Sequence, residues 1–198
     1  MATLKETIKE LIRDIKRDEL YFYNDNRCFK FIEANPENTD LLVINEKISA
    51  MNNGIIDLHY VPSMAKHIQS LHIDPYLQNS ELEIVPRISA LLPDKPYEFR
   101  KLASTYCNFH FPDVYPVQSD IAEKIMGLYT QHIQNNGHPT SVLSYSDFKI
   151  VTDHFSSTYD LQAFDYYELE KFLWLKSRMI IEFLENPDRD SQFDPPAK

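Results

Sequence analysis

Apolar residues recur at helical spacing along most of this 198-residue chain, and no stretch of any length alternates apolar with polar. A half-buried strand needs a period of two and a helix laid on a core needs one near 3.6, so the pattern points to an all-α fold. Leu4, Ile8, Leu11, Ile12 and Ile15 make the first stripe, with Thr3 as its N-cap. An aromatic-rich segment then bends and forms a helix ending before Pro36. Thr39 or Asp40 caps the next helix, which carries Leu41, Ile44, Ile48 and Met51 on one face and is closed by Gly54. Pro62 suits the first turn of a helix bearing Ala65, Ile68 and Leu71.

Between Asp74 and Leu92, the residues Ile84, Ile88, Leu91 and Leu92 share a face, and Ser80 with Glu83 makes a capping-box pattern. Pro86 then requires either a kinked helix or one that begins there. Further on, Ile121, Ile125, Leu128, Tyr129 and Ile133 form a stripe ended by Asn135-Asn136-Gly137. Phe148, Val151 and Phe155 mark a shorter helix starting near Ser146 or Asp147. The longest apolar face belongs to Leu169, Phe172, Leu173, Ile180, Phe183 and Leu184, and Phe172 and Trp174 read as core residues of that helix. The expectation is about eight helices in a single domain over residues 1–185, followed by a polar, proline-containing tail at 186–198 that is disordered.

Composition bounds the function. With 43% apolar residues, 12 Phe and 12 Tyr, the chain has material for a large core. Its net charge of −10 counts against a dedicated nucleic-acid binder and against an anionic membrane surface. The three glycines, Gly54, Gly127 and Gly137, are far apart, which excludes the glycine-rich loops that bring backbone amides to a phosphate; no nucleotide cofactor is expected. Cys28 and Cys107 have no companions and read as reduced thiols. Cys107 and His110, three apart on a helix, share a face, but no second pair completes a zinc site, so no metal is expected. The N-terminal segment is charged throughout, and no run reaches the roughly 18 apolar residues of a membrane span. These features predict a soluble, cytoplasmic protein without cofactors.

The stretch from Leu91 to Met126 carries the chemistry worth weighing. It reads as a helix end, a tight turn at Asp94-Lys95-Pro96, a second helix, an aromatic proline-containing crossing and a third helix. Lys95, Arg100 and Lys101 can contact a phosphate backbone, and Gln118 can orient a group by hydrogen bonds. Asp94 and Glu98 sit among these cations, and Pro96 has no amide hydrogen to offer a phosphate. Asp113, Asp120 and Glu123 form a possible acid cluster, although Asp120 and Glu123 also suit the dipole at the start of a helix.

In this order of elements the stretch resembles the helix-hairpin-helix DNA glycosylases, in particular small bacterial proteins similar to 8-oxoguanine DNA glycosylase. The resemblance spans 85–176 and includes the Tyr159-Asp160-Leu161 and Lys171-Phe172-Leu173-Trp174-Leu175 segments. It implies a hairpin at Leu92-Pro93-Asp94-Lys95-Pro96 and a catalytic acid after Pro116-Val117. Gln118 stands where that aspartate is expected, or Ser119 if one residue is inserted, with Asp120 a place or two late; Glu98 occupies the position of the family's lysine. The resemblance with these departures predicts a non-catalytic, glycosylase-like domain acting in recognition of a protein or nucleic-acid partner, and the balance falls against an enzyme. The alternatives are a DNA-lesion glycosylase or lyase using Lys95 or Lys101 with Asp120, and an interaction or regulatory module unconnected with nucleic acid.

Overall fold

The computed structural model describes residues 6, 23–92, 94, 95, 98–134 and 143–185, and among them the chain is all-helical, with no strand. Within these described residues nine α-helices occur where about eight were expected: α1 (Tyr23–Ala34), α2 (Leu41–Met51), α3 (Val61–Leu71), α4 (Asp74–Gln78), α5 (Ile84–Ser89), α6 (Arg100–His110), α7 (Asp120–Gln134), α8 (Tyr145–Thr158) and α9 (Tyr166–Glu185). A 3-10 turn, Leu58–Tyr60, leads into α3. The expected first stripe at Leu4–Ile15, apart from Glu6, and the tail at 186–198 lie outside the described residues.

Helix α6 is the axis of the molecule. Every residue from Leu102 to Phe109 is buried, including polar Ser104, Thr105 and Asn108, because neighbours cover α6 on all sides. Helices α1, α2, α5 and α9 pack on it, while α7 lies along α8 and α9. Tyr106, Tyr115, Tyr129, Phe99, Phe148 and Phe155 are among the largest fully buried side chains. Each such ring contributes on the order of 1.5–3 kcal/mol by leaving water, so the aromatic composition becomes the core.

Local chemistry sets the helix starts. Asp40, not Thr39, caps α2: its Oδ1 accepts from the backbone N–H groups of Leu42 at 2.8 Å and Val43 at 3.2 Å. Thr39 instead offers its carbonyl to Gln69 Nε2 at 2.7 Å. After α2 the chain turns through Asn53 (φ 35) and Gly54 (φ 78), a left-handed pair that a β-branched residue would resist. Helix α8 begins at Tyr145, earlier than expected, because Ser144 Oγ accepts the Asp147 N–H at 3.1 Å.

Three expectations need correction. The Ser80–Glu83 capping box does not form: Ser80 adopts φ 59, and Glu83 precedes α5 with no side-chain cap bond. Pro86 neither kinks α5 nor begins it. It is the third residue of the helix, where its missing N–H is one of the four that have no intrahelical partner in any case. Trp174 is not core; it is 52% exposed, while Phe172 is fully buried. Two residues on a helix turn through about 200°, which carries Trp174 to the face opposite Phe172.

Candidate binding site

Arg100, Gln118, Asp120 and Glu123 meet at the junction of α6 and α7. Arg100 opens α6, and its Nη2 lies 2.5 Å from Glu123 Oε2 and 3.2 Å from Asp120 Oδ1. Gln118 is 3% exposed, and its Nε2 donates to Glu123 Oε1 at 2.7 Å and to the Leu143 carbonyl at 3.1 Å. Its backbone N–H donates to Ser104 Oγ at 2.9 Å, which pins the crossing segment to α6. Burial holds the Glu123 carboxyl above its ordinary range, opposed by Arg100 and by the Gln118 amide. Asp120 is the exposed member of the group, with 96% of its side chain in solvent. Asp113 stays outside this cluster, exposed on the crossing segment.

The other sequence candidates go elsewhere. Lys95 Nζ pairs with Glu98 Oε2 at 3.1 Å on the surface. In the turn itself, Lys95 N–H donates to the Leu92 carbonyl at 2.9 Å; Pro93, Pro96 and Tyr97 lie outside the described residues. Lys101 faces neither Lys95 nor Asp120. It lines a cavity of about 340 Å³ between α6 and α9, together with Glu170 and Trp174 of α9. The pairing of Lys95 or Lys101 with Asp120 is therefore not brought about in this structure.

A second polar centre arises where sequence reading singled out no group. Lys47 is fully buried on α2, and its Nζ donates to Asn38 Oδ1 at 2.9 Å and to the Glu37 carbonyl at 3.0 Å. Tyr106 Oη donates to the same Asn38 oxygen. Asn38 in turn donates through Nδ2 and its backbone N–H to the Asp74 carboxylate, at 2.6 and 3.0 Å. Burial lowers Lys47 to about 8, against the opposing pull of Asp74. His110 completes the group with Nε2 3.5 Å from Lys47 Nζ; burial, and then that ammonium, push the imidazole down to about 3. The signal was present in the sequence: Lys47 falls on the apolar stripe of Ile44, Ile48 and Met51, where a lysine has to find partners.

His110 thus turns toward Lys47 and stacks near Tyr106, with ring centroids 5.3 Å apart, rather than joining Cys107. Cys107 is fully buried, and burial pushes its thiol far up, away from thiolate chemistry. Among the described residues no group of three His, Cys, Asp or Glu side chains is placed to hold a metal ion. Nor is any described helix long and apolar enough to cross a membrane.

The model of the HI_0787_N family, described as an N-terminal domain, matches residues 7–114, more than half of the chain, and the chain belongs to that family. An uncharacterized protein of Haemophilus influenzae is 27% identical over 169 residues, which cover 84% of this chain and 76% of that relative. No solved structure matches the chain.

Proposed function

We propose that the chain is a non-catalytic recognition domain, built like the helix-hairpin-helix glycosylases, that binds a protein partner rather than excising a base. The observation carrying this reading is Gln118. A glycosylase requires an acid or base that can exchange a proton beside the extruded nucleotide. At the aspartate-like position the chain has an amide, 3% exposed, with its donor group already given to Glu123 and Leu143. The nearby cations support the same reading. Arg100 is held by two carboxylates and Lys95 by one, so a phosphate backbone would have to displace protein charge to reach them. Helices α5 and α6 pack against each other on either side of the 90–99 connection, as a helix-hairpin-helix reading requires.

The test is incubation of the protein with duplexes carrying 8-oxoguanine, uracil or an abasic site, with borohydride present in a parallel series. The expected result is no base release, no strand scission and no covalent adduct. Weak duplex binding should change little with added salt, because few counterions are released. Base release that disappears in Asp120→Asn, or an adduct that disappears in Lys101→Met, overturns the reading.

A further inference from the structure

The buried group around Lys47 has no part in that reading, yet two of its members, Asp74 and His110, line a cavity. This cavity, of about 590 Å³, lies between α1, α4 and the end of α6. It falls within the usual range for small-molecule sites, roughly 300–1,000 Å³. We propose that it binds a small aryl amine bearing a hydroxyl group. In that complex the ammonium pairs with Asp74, the hydroxyl oxygen accepts from His110, and the ring lies against Phe29 and Phe109.

Empty space left by imperfect packing is lined by apolar groups. Here the lining includes three carboxylates and an imidazole. Asp74 is the best held of them. Asn38, buried and outside the lining, donates Nδ2 to Asp74 Oδ1 at 2.6 Å and its backbone N–H to Oδ2 at 3.0 Å. The Asn38 amide is oriented in turn, because its oxygen accepts from Lys47 Nζ and Tyr106 Oη. A carboxylate offers about four lone-pair sites. Among the described residues Asn38 is the only hydrogen-bond donor to Asp74, with one bond to each oxygen. Asp74 is only partly buried, so it keeps capacity for a further charge-assisted bond.

His110 supplies an independent sign of a ligand. A neutral His110 that accepts from Lys47 at Nε2, 3.5 Å away, carries its proton on Nδ1. That nitrogen has no partner among the described residues and is not one of the buried atoms, so a ligand oxygen can reach it. Burial, and then the Lys47 ammonium, push the imidazole down to about 3, so at neutral pH it adds no charge to the cavity. Glu33 and Glu37 also belong to the lining, and among the described residues their carboxylates make no hydrogen bond or ion pair. Three carboxylates thus stand against one nearby ammonium, that of Lys47, and the lining has no cation of its own. This balance selects a cationic ligand. Phe29 and Phe109 form an aromatic wall, their rings tilted at 47° with centroids 4.5 Å apart, and Phe111 adds a third ring. Such a wall favours an aryl group and tolerates a cation beside it.

The experiment titrates the full chain at neutral pH with phenylethanolamine. Binding is followed by calorimetry and by the His110 ring protons in NMR, whose signals are identified by their absence in His110→Phe. Saturable binding at millimolar ligand or below is expected, with those signals moving on the same curve. Three analogues each remove one feature. Phenylethylene glycol, without the cation, and isopropanolamine, without the ring, should each bind at least about tenfold more weakly, the scale of one charge-assisted hydrogen bond or one buried ring. Phenethylamine, without the hydroxyl, should lose about threefold, a difference that disappears in His110→Phe. Asp74→Asn should lose the preference for phenylethanolamine over the glycol. Where circular dichroism shows that this variant does not fold, Glu33→Gln combined with Glu37→Gln, at two exposed positions, should weaken the amine a few-fold and leave the glycol unchanged. No saturable heat at millimolar ligand overturns the proposal. So does equal affinity for any of the three analogues, saturation that leaves the His110 signals in place, or an undiminished preference for the amine in folded Asp74→Asn or in the combined variant. None of these results involves DNA, so this proposal and the recognition reading fail separately.

Discussion

Lys47 Nζ lies 3.5 Å from His110 Nε2, so a buried ammonium of α2 faces an imidazole at the end of α6. Facing a charged Lys47, a neutral His110 accepts through its Nε2 lone pair when its proton is on Nδ1. The two groups are therefore linked in their titration, and each leaves its own mark on stability.

For Lys47 the folded value, about 8, lies below the unfolded value of 10.5. Below about 8 both states carry the proton, and the cost of burying the ammonium is fully present. Between about 8 and 10.5 the folded lysine is neutral while the unfolded one is still charged, so stability rises with pH there. The upper bound of the rise is about 3 kcal/mol. Urea unfolding from pH 7 to 10.5 should show it as a difference from Lys47→Met, a subtraction that removes the ionisation of the buried tyrosines. A flat difference would mean that the lysine is hydrated in the folded state.

His110 acts at the other end of the scale. Its folded value, about 3, lies below the ordinary 6.5, so its contribution is present above 6.5 and is lost as pH falls from there toward 3. His110→Gln, which has no proton to gain, should lose less stability over that interval than the parent chain. In Lys47→Met the imidazole should titrate at a higher pH than in the parent, since the smaller of its two depressing influences is gone; proton NMR of the ring reads this directly.

At Gln118 the effect is one of unmet partners. Gln118→Leu takes the amide donor away from Glu123 Oε1 and from the Leu143 carbonyl, leaving the carboxylate only Arg100, at a cost of about 1–3 kcal/mol. Gln118→Glu is worse at neutral pH, because it sets a second carboxylate against Glu123, and it should recover part of its stability in acid as one of the two protonates. Thermal unfolding of both variants at pH 7 and pH 5 separates these effects.

The cap of α2 offers a sharper local test. Asp40→Ala should cost about 1 kcal/mol, because two backbone N–H groups lose their acceptor, while Thr39→Ala should cost little, since only its carbonyl is engaged. Equal costs in urea unfolding would contradict the cap as described.

The apolar stripes made most of the described helices legible in the sequence, because a helix that buries one face writes its period into the chain. Helix α4 escaped: Asp74–Gln78 is too short for a stripe to repeat. The Ser80–Glu83 pattern misled because a capping box is a local preference, and Ser80 is instead drawn into a left-handed turn. The Arg100–Gln118–Glu123 group was half visible. The residues were noted for other reasons, but their meeting depends on how α6 and α7 cross, which no spacing encodes. The cavity that Lys101 lines was not legible either, since its walls come from the end of α2 and the turn after it (Met51, Asn53, Ile55), from α6, and from Glu170 and Trp174 of α9, segments that only the fold brings together.

The match to the family ends at residue 114, yet the interior does not. Asn108 donates to the Tyr115 carbonyl, Ser104 Oγ accepts the Gln118 backbone N–H, Tyr166 N–H donates to the Pro112 carbonyl at 3.0 Å, and the rings of Phe109 and Tyr167 pack at a tilt, 5.6 Å between centroids. Each of these ties joins the matched segment to residues beyond its end. A change of side-chain volume at Phe109 is felt at Tyr167, so the fit of the first 114 residues depends on side chains that come later in the chain.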